Sequence, residues 1–556
     1  MLSNTAIAAQ AKVEPIIEVA KKLGIEEDDL IPYGKDITKI NLRALQRPRK
    51  SGQKNRLILV SATTPTAAGE GKTTTSIGLG QAFSKLGESV CVALREPSLG
   101  PCLGMKGGAT GGGYSQIIPV DRINLHFTGD FHAITSANNL ISAALDNHIY
   151  WDNELRLDPR RISWRRVMDM NDRSLRQIVL GLGGRFQGTP REGGFDITAA
   201  SEIMAIFCLA NDLDDLRRRL NRILIGFTYK GAPVYLEALG ITDAVLALLR
   251  DAVHPNLVQT IEGTPVFMHG GPFANIAHGC NSVFATNMAR HFSDWAITEA
   301  GFGFDLGAEK FFDIKCRSAG LDPDAVVLVT TIRALKMHGG KSKDRLTEPD
   351  NGAVSRGLEN LDKHIESVAQ FNKRPIVALN RFHADTDDEI RLVKERAAQA
   401  GVHFAESRHF AEGGAGAIDL AKQVMAAAEG AEPYKPLYDL DIPVIEKVRA
   451  ISKGMYGAHD VAFTKEAEKD LLLVEELGLS NLPVCIAKAP SSLSDDPALH
   501  GRPRDFEVTV RNIQINSGAG FLVVLTGAIM RMPGLPRRPM ALDIKVLPDG
   551  TIEGVG

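Results

Sequence analysis

The run TPTAAGEGKTTTS at Thr64–Ser76 carries the residue types of a phosphate-binding loop. The usual pattern is glycine, four variable residues, then Gly-Lys and a Ser or Thr. Here Thr66 stands at the first glycine, Ala67, Ala68, Gly69 and Glu70 follow, and Gly71, Lys72 and Thr73 complete the motif. Small residues let successive backbone N–H groups converge on phosphate oxygens, and a helix start behind them adds its positive dipole end. Thr66–Thr73 are therefore expected to cradle nucleotide phosphates. Lys72 would contact the β- and γ-phosphates, and the Thr73 hydroxyl would ligate Mg²⁺ brought with the nucleotide.

Arg95 closes a short apolar run, SVCVALR. In an open parallel sheet, ligands bind outside the carboxyl ends of the strands. A guanidinium there can clamp a small carboxylate and stabilise charge on a transferring phosphoryl group; an ion pair with Glu96 is the structural alternative. Phe382, just after the run PIVALN, and Phe410, before EGGAGA, can each wall a slot for a flat heterocycle or simply pack into the core. Three further Gly-rich runs, at 105–113, 180–194 and 269–279, are expected to line the site. His126, His132, His269 and His278 lie in such neighbourhoods, but their spacing matches no zinc motif, and hydrogen-bonded structural histidines are expected. The clusters at 160–166 and 217–222 read as solvated basic helix faces.

These residues need a scaffold. RLILVSAT from Arg56 reads as a buried strand, Lys72–Leu86 as a helix stopped by Gly87, and Ser89–Arg95 as the next strand. Strand, loop, helix and strand make a βαβ unit, which implies a parallel sheet covered by helices. Strand-like runs recur at Ile223–Tyr229, Pro265–His269, Trp295–Thr298 and Ala325–Thr331. The fold expected is α/β: a large P-loop NTPase-like parallel-sheet domain at 1–365, including an N-terminal helical segment, with two smaller α/β or α+β domains. The second spans 366–440 and holds the strand PIVALN, two helices and a Pro-containing linker at 432–443. The third, at 441–556, carries strand-like runs at 507–515, 521–526 and 541–547, with a turn at Asp549-Gly550.

Composition excludes several classes. The chain has 556 residues, 44% hydrophobic and 24% charged, with a net charge of −3. That charge argues against nucleic-acid binding. No run approaches the roughly 18 apolar residues of a membrane span. The N-terminus lacks the basic start and apolar core of a signal peptide, so a cytoplasmic location is expected. Six cysteines lie far apart and form no C-x-x-C pair, so they read as buried free thiols.

Together the blocks resemble formate–tetrahydrofolate ligase over nearly the whole chain. They are TPTAAGEGKTTT, LREPSLGPCLGMKGGATGGGYSQ, INLHFTGD, PREGGFDIT, HGGPFANIAHGCNS, FGFDLGAEKFFDIKCR, IRALKMHGG and SLSDDPALHGRP. Thr66 in place of the first glycine is itself part of that family's loop. The resemblance implies joining of formate to tetrahydrofolate with Mg-ATP, through formyl phosphate, giving 10-formyltetrahydrofolate, ADP and phosphate. It assigns Lys72 to phosphate stabilisation, Arg95 to formate or formyl phosphate, and Phe382 and Phe410 to stacking on the folate ring. It also implies a homotetramer and a monovalent cation, and because the phosphate loop begins at Thr64, close to the start of the sequence, a monofunctional chain is expected. Family members commonly carry Trp at the position of Phe410, and AKTQYSLSDDP where this chain has AKAPSSLSDDP at 487–497, a region expected near the adenine. The alternative is a phosphate-loop enzyme activating another carboxylate or a carbamate, as dethiobiotin synthetase does. A third reading, an ATP-driven partitioning switch, fits a chain of about half this length.

Overall fold

In the computed structural model, the described residues are 3–66, 69–105, 108–184, 186–527 and 529–555. Seven strands run parallel at its centre: β1 (Arg56–Ala62), β2 (Val90–Leu94), β3 (Pro265–Met268), β4 (Trp295–Glu299), β5 (Ala325–Thr330), β6 (Pro375–Asn380) and β7 (His403–Ser407). Their spatial order is β3-β2-β4-β1-β5-β6-β7. Antiparallel strands extend the β3 edge to a twelve-stranded sheet. The strand preceding the phosphate loop, β1, thus lies inside the sheet, flanked by β4 and β5.

Both faces of this sheet are covered, as near-continuous apolar strands require. Alternation sends Leu57 and Leu59 of β1 into one core, and Ile58, Val60 and Ala62 into another. Helix α1 (Lys72–Lys85) supplies Ile77, Leu79, Ala82 and Phe83 to the second core. Its glycines permit close approach. A Cβ on Gly80 would come 2.5 Å from Val92 of β2, and one on Gly78 would come 2.4 Å from His409. Gly87, just past the helix, has φ +81°, as the expected helix stop requires.

β6 and β7, expected in a unit beginning at 366, pair in parallel with each other, and β6 with β5, in the same sheet as β1. The Pro-containing stretch at 432–443 is irregular but anchored: Leu437 N–H donates to Asp313 at 3.1 Å, and the buried Tyr438 hydroxyl accepts from Val484 N–H at 3.1 Å. Residues 460–526 form their own four-stranded sheet. One face of it, with Ile486 and Val524, joins the first core; the other, with Cys485 and Phe521, packs on the segment between β2 and β3.

Three sequence expectations need correction. The strand Leu224–Thr228 lies in a separate three-stranded antiparallel sheet, not in the rhythm of the parallel one. The run 541–547 forms a 3₁₀ turn, Met540–Leu542, and a two-residue strand, Lys545–Val546. Asp543, paired with Arg538 at the exposed surface, interrupts its apolar pattern. The basic cluster at 160–166 begins on the strand Leu157–Ile162, not on a helix.

Candidate active site

The phosphate loop leaves the carboxyl end of β1 and enters α1 at Lys72. Gly71, the N-cap, has φ +77°, and a Cβ there would come 2.5 Å from Asn380 Nδ2 at the end of β6. Glycine is required twice over: by the left-handed backbone and by that contact. The loop is also tied down by its own acid. Glu70, 1% exposed, accepts from Thr66 N–H at 2.8 Å through one oxygen and from the Thr331 hydroxyl through the other. Its carbonyl accepts from Asn380 Nδ2 at 3.1 Å. Thr66's amide is thus committed within the loop, as is that of Gly69, which donates to the Thr66 carbonyl at 3.0 Å, leaving the N–H groups of the first turn of α1 to face an anion. Ala67 and Ala68 lie outside the described residues.

Toward β4 and β2 the site is charged. Thr73 Oγ1 donates to Glu299 Oε2 at 2.8 Å. Glu299 closes β4, between β1 and β2, and is 4% exposed. Its other oxygen lies 3.9 Å from the Arg95 guanidinium, which also donates to the Pro272 carbonyl at 3.3 Å. Glu299 therefore joins the loop's hydroxyl to the neighbouring arginine. Glu96, the alternative partner considered for Arg95, points elsewhere: it accepts from Asn256 Nδ2 at 2.5 Å. Burial, with Asp130 alongside, pushes the Glu96 carboxyl well above the usual range. Gly301 lets the guanidinium lie close, since a Cβ there would come within 3.2 Å of its terminal nitrogens.

Toward β5, β6 and β7 the loop entry meets neutral buried side chains, and beyond them two aromatic rings. Thr64, two residues before the loop, is held by Asn360, His338 and His364. Burial depresses both histidines to about 4, so they are uncharged at neutral pH. Phe382 is half-buried, with the Arg333 guanidinium 3.8 Å from its ring centroid. Such a contact is attractive through the ring quadrupole and leaves one ring face for a ligand. Phe410 is also half-buried; its ring lies against the backbone of Gly112 and Gly113, where added Cβ atoms would come 3.1 and 2.9 Å from it. Its carbonyl accepts from Tyr114 N–H at 2.8 Å. Phe382 and Phe410 thus follow the adjacent strands β6 and β7 at one end of the sheet.

Of the three Gly-rich runs, that at 269–279 supplies Pro272 beside Arg95, and that at 105–113 supplies the glycines beside Phe410. The run at 180–194 does not line the site; it is part of a hairpin pairing 178–180 with 191–193 and exposing Leu182 and Phe186. His269 is a satisfied core residue, donating to the Ala252 carbonyl at 2.7 Å and accepting from Ser282 Oγ at 2.6 Å. His278 is fully buried, and His126 and His132 are exposed. The six cysteines are all buried. No group of three or more His, Cys, Asp or Glu side chains among the described residues is arranged to hold a metal. No helix there is long and apolar enough to cross a membrane.

The sequence reading missed Glu299, His338, His364 and Asn360. Glu299 carried the same signal as Arg95: a charged residue terminating an apolar strand run, WAITE. The other three sit on helices α2 (Ile332–His338) and α3 (Asn351–Gln370), where a lone buried polar residue has no periodic signature. The geometry thus sets the Gly-rich loop and helix start beside an arginine bridged to it by a carboxylate, with Phe382 and Phe410 following the strands on the other side. The sequence model of the family described as Formate–tetrahydrofolate ligase matches residues 2–556, so this chain belongs to that family of ADP-forming carbon–nitrogen ligases, which join formate to tetrahydrofolate with ATP.

Proposed function

We propose that the chain makes 10-formyltetrahydrofolate in two steps at the carboxyl edge of the parallel sheet. A formate oxygen attacks the γ-phosphorus of ATP, forming formyl phosphate and releasing ADP. N10 of tetrahydrofolate then attacks the formyl carbon, phosphate departs with the shared oxygen, and the N10 proton is lost. Formate is a poor electrophile, and phosphorylation gives it a leaving group. Phosphoryl transfer of this kind is mostly positioning and charge stabilisation.

Lys72 and the loop amides are assigned to the phosphates, and Arg95 to the formate carboxylate and then to formyl phosphate. The observation that supports this reading is Glu299, which contacts both Thr73, at 2.8 Å, and Arg95, at 3.9 Å. The Thr73 hydroxyl and the Glu299 carboxylate are hard oxygen donors next to the phosphate cradle, a set that suits Mg²⁺ arriving with ATP. They would hold the ion, which when bound offsets phosphate charge. Phe382 and Phe410 are assigned to the folate ring. A homotetramer, a monovalent-cation requirement and a cytoplasmic location complete the reading, from family resemblance.

The test uses [¹⁸O]formate. Expected are product only when ATP, formate and tetrahydrofolate are all present, read as its acid-stable methenyl derivative, and ¹⁸O in the released phosphate. Phosphate without label would exclude the acyl phosphate route.

A further inference from the structure

We propose that His338 and Asn360 are positioning residues for the phosphate loop, registering it against the C-terminal loop at 489–500. The proposal rests on the reading that Thr66–Thr73 binds ATP phosphates. Its starting point is Thr64, fully buried where the chain leaves β1 for the loop. All three of its hydrogen-bonding groups are taken by side chains. Its N–H donates to His364 Nε2 at 2.9 Å, and its carbonyl accepts from His338 Nε2 at 2.9 Å. Its hydroxyl accepts from Asn360 Nδ2 at 3.0 Å and lies 2.9 Å from His364 Nε2.

Two of these side chains continue to one residue on the other side. Gly501 N–H donates to His338 Nδ1 at 3.1 Å, and the Gly501 carbonyl accepts from Asn360 Nδ2 at 2.8 Å. His338 therefore has one compatible form: neutral, Nε2 donating and Nδ1 accepting. The Asn360 amide nitrogen likewise has both hydrogens engaged, one on each segment. Thr64 and Gly501 are bridged twice, through side chains 6% exposed or less.

The other end of the C-terminal loop is pinned nearby. Lys488, fully buried, pairs with Asp305 at 2.8 Å and donates to the carbonyls of Ala489, at 3.2 Å, and Ser492. Asp305 in turn borders Thr64: a Cβ on Gly303 would come 2.5 Å from Asp305 Oδ1 and 3.5 Å from Thr64 Cα. Both feet of 489–500 thus stand on the entry to the phosphate loop, while 496–500 is exposed. Separating buried polar groups from these partners costs free energy, so a displacement at Gly501 is passed to Thr64 rather than absorbed. Two residues later the chain begins the phosphate cradle. The nucleotide site is in this sense completed from the C-terminal part of the chain.

The test compares His338→Phe, which keeps a ring and loses both bonds, with His338→Gln, which restores a donor and an acceptor, and with Asn360→Leu. Mg-ATP and tetrahydrofolate affinities are measured by calorimetry, and KM for each substrate by the product assay. Expected is a rise of about 10-fold in the ATP Kd for His338→Phe and Asn360→Leu, with the tetrahydrofolate Kd within about twofold and most of the loss recovered in His338→Gln. An ATP Kd within about twofold of wild type, or an equal rise in KM for all three substrates, would overturn the proposal. Should His338→Phe not fold, Gly501→Ala answers the same question. Its Cβ would meet the His338 carbonyl at 2.8 Å at a φ of +74°, moving the foot of the loop without touching Thr64, and the same ATP-selective loss is expected. Lys72→Ala is run alongside. If it leaves ATP binding intact, the loop assignment itself fails; if it weakens ATP binding and the other variants do not, only the registration fails.

Discussion

The two flanks of the phosphate loop are built from different chemistry. On the β4 and β2 side stand Thr73, Glu299 and Arg95, a hydroxyl and two opposite charges with incomplete pairing at 3.9 Å. On the β5 side stand Thr64, His338, His364 and Asn360, all uncharged and tightly hydrogen-bonded. A charge held loosely can turn toward a substrate carboxylate, whereas a neutral network whose contacts run to Thr64 at the loop's entry serves to fix a position. The difference separates residues that meet the reactants from residues that hold the loop still.

Four experiments sharpen that contrast. Lys72→Ala, at the seam between the flanks, is expected to lower kcat by about 10³-fold while tetrahydrofolate binding stays within about twofold, read by steady-state assay and calorimetry. Turnover near wild type would remove the loop from the chemistry. Arg95→Ala, on the charged flank, is expected to cost about 10²-fold in kcat/KM for formate with the ATP Kd little changed. Equal losses for ATP and formate would instead make Arg95 a structural partner of Glu299.

Phe410→Ala, beyond the neutral flank, is expected to raise KM for tetrahydrofolate about 10-fold with kcat within about twofold. An unchanged KM would mean the ring only braces Gly112 and Gly113. The smallest effect concerns the histidines. His338 and His364 sit at about 4 in the folded chain, against about 6.5 when unfolded. A depressed folded value gives stability that is present above 6.5 and is lost as pH falls toward 4. His338→Gln is therefore expected to reduce proton uptake on unfolding near pH 5 by about one, measured from urea melts across that range. An unchanged slope would show that His338 titrates normally, so that the neutral flank is not neutral.

How much of this was legible in the sequence follows from chain distance. The βαβ unit from β1 through α1 to β2 was readable because apolar runs, glycine positions and the loop motif are all local. Gly87 marked the helix end for the same reason. Arg95 was found by strand-end logic, and Glu299 was accessible to the same logic. The neutral flank was not, because Asn360 and His364 lie 296 and 300 positions from Thr64 and nothing in their local spacing is unusual. The run at 541–547 misled in the opposite way: locally strand-like, it keeps only a two-residue pairing with Ile552–Glu553, and Asp543 lies at the surface on Arg538. The antiparallel placement of Leu224–Thr228 was likewise decided by partners, Leu157–Ile162 and Pro233–Tyr235, and not by its own residues.

The interior position of β1 also bears on how the chain matures. Its neighbours arrive late: the hydroxyls of Thr63 and Thr330 meet at 3.2 Å across 267 positions, and Thr64 waits for Asn360 and, through it, Gly501. During synthesis the phosphate cradle must therefore remain unassembled while most of the polypeptide is still being made. Until those partners are made, the apolar strand Arg56–Ala62 lacks the neighbours that bury it.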